Sequence, residues 1–169
     1  MKTISSRCPQ MEWAGALIVS LFCLGGLKAE DWPQWRGPNR DGVWNEDGIV
    51  ETFPRDGLNI RWRARVGGGY SGPVVARERV FVTDRQLWPD VERVLCLDEK
   101  TGKPLWVHSY PCDYENMEYE SGPRAAPTVH DGKVYTLGAR GHLLSLDAAN
   151  GKILWKKDFV KQYDAQLPR

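Results

Sequence analysis

The chain has 169 residues, with 23 Lys+Arg against 22 Asp+Glu and a formal net charge of +1. That balance excludes a nucleic-acid binder driven by phosphate neutralisation, which needs a basic face. An apolar share of 41% and a mean hydropathy of −0.50 exclude a disordered chain and a polytopic membrane protein. Seventeen Gly, eleven Pro and eight Trp favour short elements joined by tight turns, and hence an all-β fold.

Residues 1–29 carry Lys2 and Arg7, an apolar run over 14–27, and Ala29 at a cleavable position. A basic start, a short apolar core and a small residue at the cut predict a secretory signal peptide. The run is too short for a spanning helix, which needs about 20 residues, so no membrane span is expected once it is removed. Removing Lys2, Arg7, Lys28 and Glu12 turns the net charge to −1. The expected location is periplasmic or extracellular. Cys8 and Cys23 leave with the leader. Whether Cys96 and Cys112 pair is open, because spacing does not fix the distance between their Cα atoms. Cys96 reads as a small buried filler.

Residues 30–60 read as an N-terminal arm packing on the blades, 61–110 as a first blade region, and 111–169 as a second blade with the start of another. The division rests on an internal repeat. At an offset of 49, Leu95-Cys-Leu-Asp-Glu-Lys-Thr-Gly-Lys-Pro-Leu-Trp106 falls on Leu144-Ser-Leu-Asp-Ala-Ala-Asn-Gly-Lys-Ile-Leu-Trp155, with seven of twelve positions identical. Upstream the offset is 54, which places an insertion in the first copy around 85–90. A period near 50 with β patterning indicates propeller blades.

Four strands are predicted in the second copy, over 126–130, 133–137, 142–147 and 152–158. Asp131-Gly132 fits a type I′ turn. Arg77-Glu78 stands there in the first copy, so a different turn is expected. Asp98 to Gly102 and Asp147 to Gly151 read as four-residue turns, the carboxylate accepting backbone N–H groups and the Gly taking the left-handed position. In the third strand Val94 and Cys96 point one way and Leu95 and Leu97 the other. A sheet apolar on both faces must be sandwiched between neighbours. Trp106 and Trp155 open the fourth strand, and Trp62 holds the same place in an earlier partial copy. A Trp recurring once per repeat suits wedging between sheets.

The segment 97–106, Leu-Asp-x-x-Thr-Gly-Lys-x-Leu-Trp, and its near copy at 146–155 resemble the blade signature of the PQQ-like (BamB-like) β-propeller repeats. Asp31-Trp-Pro-Gln-Trp-Arg-Gly-Pro-Asn-Arg-Asp-Gly42 and Gly122-Pro-Arg-Ala-Ala-Pro-Thr-Val129 resemble segments of exported bacterial members. The resemblance implies a propeller of four-stranded antiparallel blades, of which two to three are present. The remaining blades are expected from a longer parent chain or by association. The family includes a lipoprotein that helps assemble outer-membrane proteins, and quinoprotein dehydrogenases holding pyrroloquinoline quinone (PQQ) with Ca²⁺ at the axis. The adjacent cysteine pair of those dehydrogenases is missing here.

No catalytic or metal set is expected. His108, His130 and His142 lie at or near strand ends without metal spacing, and the acidic stretch 113–120 reads as a solvated loop. Trp32, Trp35 and Trp44 are expected to cover the side of a blade. Arg124, just before the axial strand of the second blade, is the candidate axial binding residue. The function expected is a non-catalytic scaffold for a protein or polymer partner in the cell envelope, with no cofactor. The alternative is the N-terminal part of a PQQ- and Ca-dependent alcohol or sugar dehydrogenase.

Overall fold

The computed structural model of the protein describes residues 30–166, and the leader expected over 1–29 lies outside them. Among the described residues no helix is long and apolar enough to cross a membrane. Eight strands form two four-stranded antiparallel sheets. The first holds β1 (Val74–Ala76), β2 (Arg79–Leu87), β3 (Asp90–Asp98) and β4 (Pro104–Pro111). The second holds β5 (Thr128–His130), β6 (Lys133–Leu137), β7 (His142–Asp147) and β8 (Ile153–Asp158), and a short helix α1 (Phe159–Tyr163) comes after it. Each sheet is a simple meander, and β1 and β5 approach each other across the gap between them. The sheets are adjacent blades of a β-propeller, and among the described residues they form no closed ring.

Pleat alternation explains the stacking. On one face of the first blade Val74, Phe81, Val94 and Cys96 share a core with Val134, Leu144 and Leu146 of the second. On the opposite face Val82, Leu95 and Leu97 pack under Trp62 and Ala64. Strand β3 is thus buried on both sides, as its unbroken apolar run requires. The insertion in the first copy lengthens a hairpin: β2 and β3 have nine residues each, where β6 and β7 have five and six.

The turns are explained by their residues. Asp98 accepts the Thr101 N–H at 2.8 Å and its hydroxyl at 2.7 Å, and Asp147 accepts the Ala149 N–H at 2.7 Å. Gly102 and Gly151 take φ of 68° and 72°. One expectation is corrected. Arg77 and Glu78 both have positive φ, 52° and 62°, as Asp131 and Gly132 do at 46° and 70°, so the two copies share one turn. Neither residue prefers that region. Tertiary bonds impose it: the Asp31 carboxylate accepts the Arg77 N–H at 3.1 Å, and Glu78 C=O accepts the Glu99 N–H at 3.1 Å.

Each interblade Trp lies over the turn glycine of the next repeat. The Trp106 indole donates to Ala148 C=O at 3.1 Å and covers Gly151, where a Cβ would come within 2.5 Å of the ring. Trp62 donates to Glu99 C=O at 2.7 Å and covers Gly102 in the same way. The stretch around Trp62 carries no strand ladder, yet its indole occupies the place that a fourth-strand Trp occupies one blade later. Trp155 is 41% exposed and its ring lies 6.0 Å from that of Tyr135.

Candidate functional site

Strand β5 begins at the inner edge of the second blade, and the loop leading to it carries Arg124. That loop is tethered at several points. Glu92 in β3, only 1% exposed, accepts the Tyr110 and Tyr114 hydroxyls and the Ala139 N–H, the last at 2.9 Å. A carboxylate can accept about four hydrogen bonds, so these donors compensate its burial. Burial and the adjacent Glu92 hold both phenols far above their ordinary value. Gly138 belongs here for a steric reason, since a Cβ would collide with the Glu92 carboxylate.

This tether corrects the reading of 113–120 as simply solvated. Its carboxylates are exposed, but Tyr114 and Met117 are buried in a small core with Cys112. The guanidinium of Arg85 lies 4.0 Å from the centre of the Tyr114 ring and pairs with Asp90 at 2.6 Å. The Asp90 contact is the largest influence holding that guanidinium protonated and the carboxyl below its ordinary range. A second buried carboxylate, Asp84, accepts both Nε (2.8 Å) and Nη2 (2.6 Å) of Arg93 and the Gly67 N–H at 2.5 Å. It fixes the segment 67–70, which continues into the arginine site: Tyr70 N–H donates to Pro123 C=O at 2.9 Å, and the Tyr70 ring meets Tyr119 edge-on at 5.7 Å.

On this platform the Arg124 guanidinium lies 5.0 Å from the centre of the Tyr119 ring, within cation–π range. It lines a cavity of about 300 Å³ with Ala125, Leu137, Gly138, Phe159 and Ala165. Among the described residues no carboxylate pairs with it. The site therefore offers one half-buried cation beside an apolar wall, suited to an anionic group on an apolar body.

The other residues singled out in the sequence do not converge here. Asp98, Gly102, Trp106, Asp147, Gly151, Trp155 and Trp62 sit at the turns and the blade-facing surfaces. His108 lies in the middle of β4, not at a strand end, and its imidazole is held below its ordinary value by burial. His142 starts β7 with Nε2 3.8 Å from Asp158, and His130 ends β5. Cys96 and Cys112 are buried free thiols, pushed by burial up to about 11 and about 12. Among the described residues no group of three His, Cys, Asp or Glu side chains is placed to hold a metal ion. Trp32 is partly buried against β1, but Trp44 and Trp35 are 54% and 71% exposed, so the three do not form one cover.

Sequence reasoning missed Glu92, Asp84 and Tyr114. Glu92 shares the parity of Val94 and Cys96, so a charge on a blade-facing row was the available signal.

A family model of the PQQ type, described as outer membrane protein assembly factor BamB, matches residues 90–167. The quinoprotein alcohol dehydrogenase PedH of Pseudomonas putida is 35% identical over 66 residues, which are 39% of this chain and 9% of that protein. Among solved structures, quinohemoprotein alcohol dehydrogenase from Comamonas testosteroni aligns with TM-score 0.59 and 23% identity, covering 78% of this chain and 20% of that one. BamB from Moraxella catarrhalis aligns at TM-score 0.43 and 21% identity over 58% of this chain and 26% of its own. The chain thus spans a small part of the relatives it matches. With the blade motif, the two stacked meanders and this match together, residues 90–167 belong to the PQQ-like β-propeller repeat family.

Proposed function

We propose that the chain is part of an exported PQQ-like propeller acting in the cell envelope as a non-catalytic binding scaffold, with Arg124 as its axial anchor for a protein or polymer partner. The observation that carries this reading is the Arg124 guanidinium, held over Tyr119 beside an apolar wall and, among the described residues, without a carboxylate partner. The buried acids Glu92 and Asp84 are engaged in tying loops to blades, so their hydrogen-bonding capacity serves the frame. The likeness to PedH supports a second reading, the opening part of a quinoprotein dehydrogenase. The Arg124 guanidinium suits the carboxylates of PQQ, but among the described residues no oxygen cluster beside it suits Ca²⁺.

Adding PQQ and Ca²⁺ to the full-length parent propeller, with all its blades, and following reduction of an electron-accepting dye separates the two. The scaffold reading expects no quinone-dependent turnover, and sustained turnover abolished by Arg124→Ala overturns it.

A further inference from the structure

The segment that opens the described chain is pinned to both blades. Trp32 exchanges two backbone hydrogen bonds with Val75 of β1, at 2.8 and 3.0 Å, and Pro33 C=O accepts the Val129 N–H of β5 at 2.8 Å. The loop after it closes on itself. Gln34 Nε2 donates to Pro38 C=O at 3.0 Å, Arg40 Nε donates to Gln34 Oε1 at 3.1 Å, and the Gly42 N–H donates to Arg36 C=O at 2.9 Å. Gly37 is required under the Trp32 ring, where a Cβ would stand 2.7 Å from the indole. The motif residues Asp31, Trp32, Pro33, Gln34 and Gly37 are therefore accounted for by packing and hydrogen bonds.

Three side chains of the same loop keep an open face, although Arg36 Nη2 donates to Asp41 C=O at 3.2 Å and Arg40 Nε to Gln34. Trp35 is 71% exposed, and Arg36 and Arg40 stand exposed beside it around a concavity that Gln34 and Thr128 complete. Arg36 and Arg40 have φ of 64° and 59°. Non-glycine residues are uncommon in that region and are held there only by their surroundings, a strain that concentrates at binding sites. Neither guanidinium has a carboxylate partner among the described residues.

We propose that this loop binds an acidic polysaccharide. The open face of Trp35 stacks on a pyranose ring, whose C–H groups complement the negative π face. Arg36 and Arg40 take the carboxylates of neighbouring uronate units, for which a planar guanidinium fork is suited. The indole decides for a sugar over an acidic peptide, because a peptide carboxylate engages the guanidiniums without needing an aromatic platform. Pinning to two blades keeps the loop in its bound shape before the ligand arrives, which limits the ordering cost. The proposal rests on the scaffold reading and adds a ligand class at a place separate from Arg124.

The test is calorimetric titration of the full chain with polygalacturonate oligomers at low salt, with neutral dextran and polyglutamate alongside. Polygalacturonate is expected to bind and dextran not. Trp35→Ala is expected to weaken binding about tenfold, equivalent to about 1.4 kcal/mol. Arg36→Gly with Arg40→Gly is expected to weaken it at least as much while leaving the unfolding temperature unchanged or higher, since glycine relieves both left-handed residues. Arg124→Ala is expected to leave this affinity intact, and quinone-dependent turnover would remove the scaffold reading without touching it. The proposal is overturned if polygalacturonate fails to bind or binds both loop variants equally. It is also overturned if polyglutamate binds as well and Trp35→Ala has no effect, which assigns the loop to an acidic peptide.

Discussion

Gly151→Ala probes the interblade wedge directly. Two costs are built into that position. Its φ of 72° lies in the left-handed region, which an alanine occupies at about 1 kcal/mol. The new Cβ would also stand 2.5 Å from Trp106 Cε3 and 2.7 Å from Cδ2, and moving a ring packed between two sheets costs about 1–3 kcal/mol. The expected loss is about 2–4 kcal/mol by urea titration, with the m value unchanged. Gly132→Ala is the control. Its φ is 70°, but the nearest atom to the new Cβ is Arg77 Nη1 at 3.9 Å, so only the backbone cost of about 1 kcal/mol applies. Trp106→Ala alone is expected to lose about 3 kcal/mol, at the low end for a large aromatic because the ring is only partly buried. Combining Trp106→Ala with Gly151→Ala removes the collision, so the double variant is expected to be about 1–3 kcal/mol better than the sum of the singles. If the singles add to within about 0.5 kcal/mol, the Trp106 ring does not pack on Gly151 and the wedge argument is wrong.

Other parts of the structure lead to three more expected outcomes. Asp84→Asn leaves the Arg93 guanidinium without its carboxylate and is expected to cost about 3 kcal/mol, with faster proteolysis across 61–70; unchanged proteolysis would refute the tether. Arg77→Asn with Glu78→Gly suits both positive φ angles and is expected to raise the unfolding temperature by about 2–4 °C, measured by calorimetry. The thiols of Cys96 and Cys112 titrate at about 11 and about 12 in the fold against an ordinary 9.0, so the unfolded chain releases these protons first. Stability is therefore expected to fall as pH rises from about 9 to about 12, and replacing both residues by alanine should flatten that slope. Below pH 9 neither thiol should react with an aromatic disulfide unless denaturant is added.

Most of the frame was legible because it is periodic. The Asp-to-Gly turns, the Trp after them and the doubly apolar third strand recur at fixed offsets, and each has a local reason visible in one copy alone. The Arg77-Glu78 turn was not legible, because nothing local favours positive φ there. Its conformation comes from strand register and from Asp31, 46 residues away. The Glu92 tether was hidden for the same reason: its donors Tyr110, Tyr114 and Ala139 lie 18, 22 and 47 residues downstream. Composition could not separate Trp32 from Trp35 either. The first is fixed by an antiparallel bridge to Val75 and by the room over Gly37, the second by nothing but its neighbours' hydrogen bonds.

What repeats and what does not divide the molecule by role. Trp62 over Gly102 and Trp106 over Gly151 use the same indole donor and the same carbonyl position, so any blade of this family could supply them. A residue that satisfies the repeat cannot also distinguish one propeller from another. The long hairpin in the first copy, the Glu92 tether and the strap at 31–42 have no counterpart in the second copy, and they do distinguish it. The Glu92 tether is inward-facing and hydrogen-bonded, so its effect is to hold the loop before β5 and with it Arg124, while the long hairpin ends on the exposed Leu87 and Trp88. The strap turns outward an aromatic face beside two guanidiniums that have no carboxylate partner among the described residues, from a backbone already bent to present them. Ligand selectivity is therefore expected to track substitutions in the strap and at Arg124, while substitutions in the repeat motif change stability without changing what is bound.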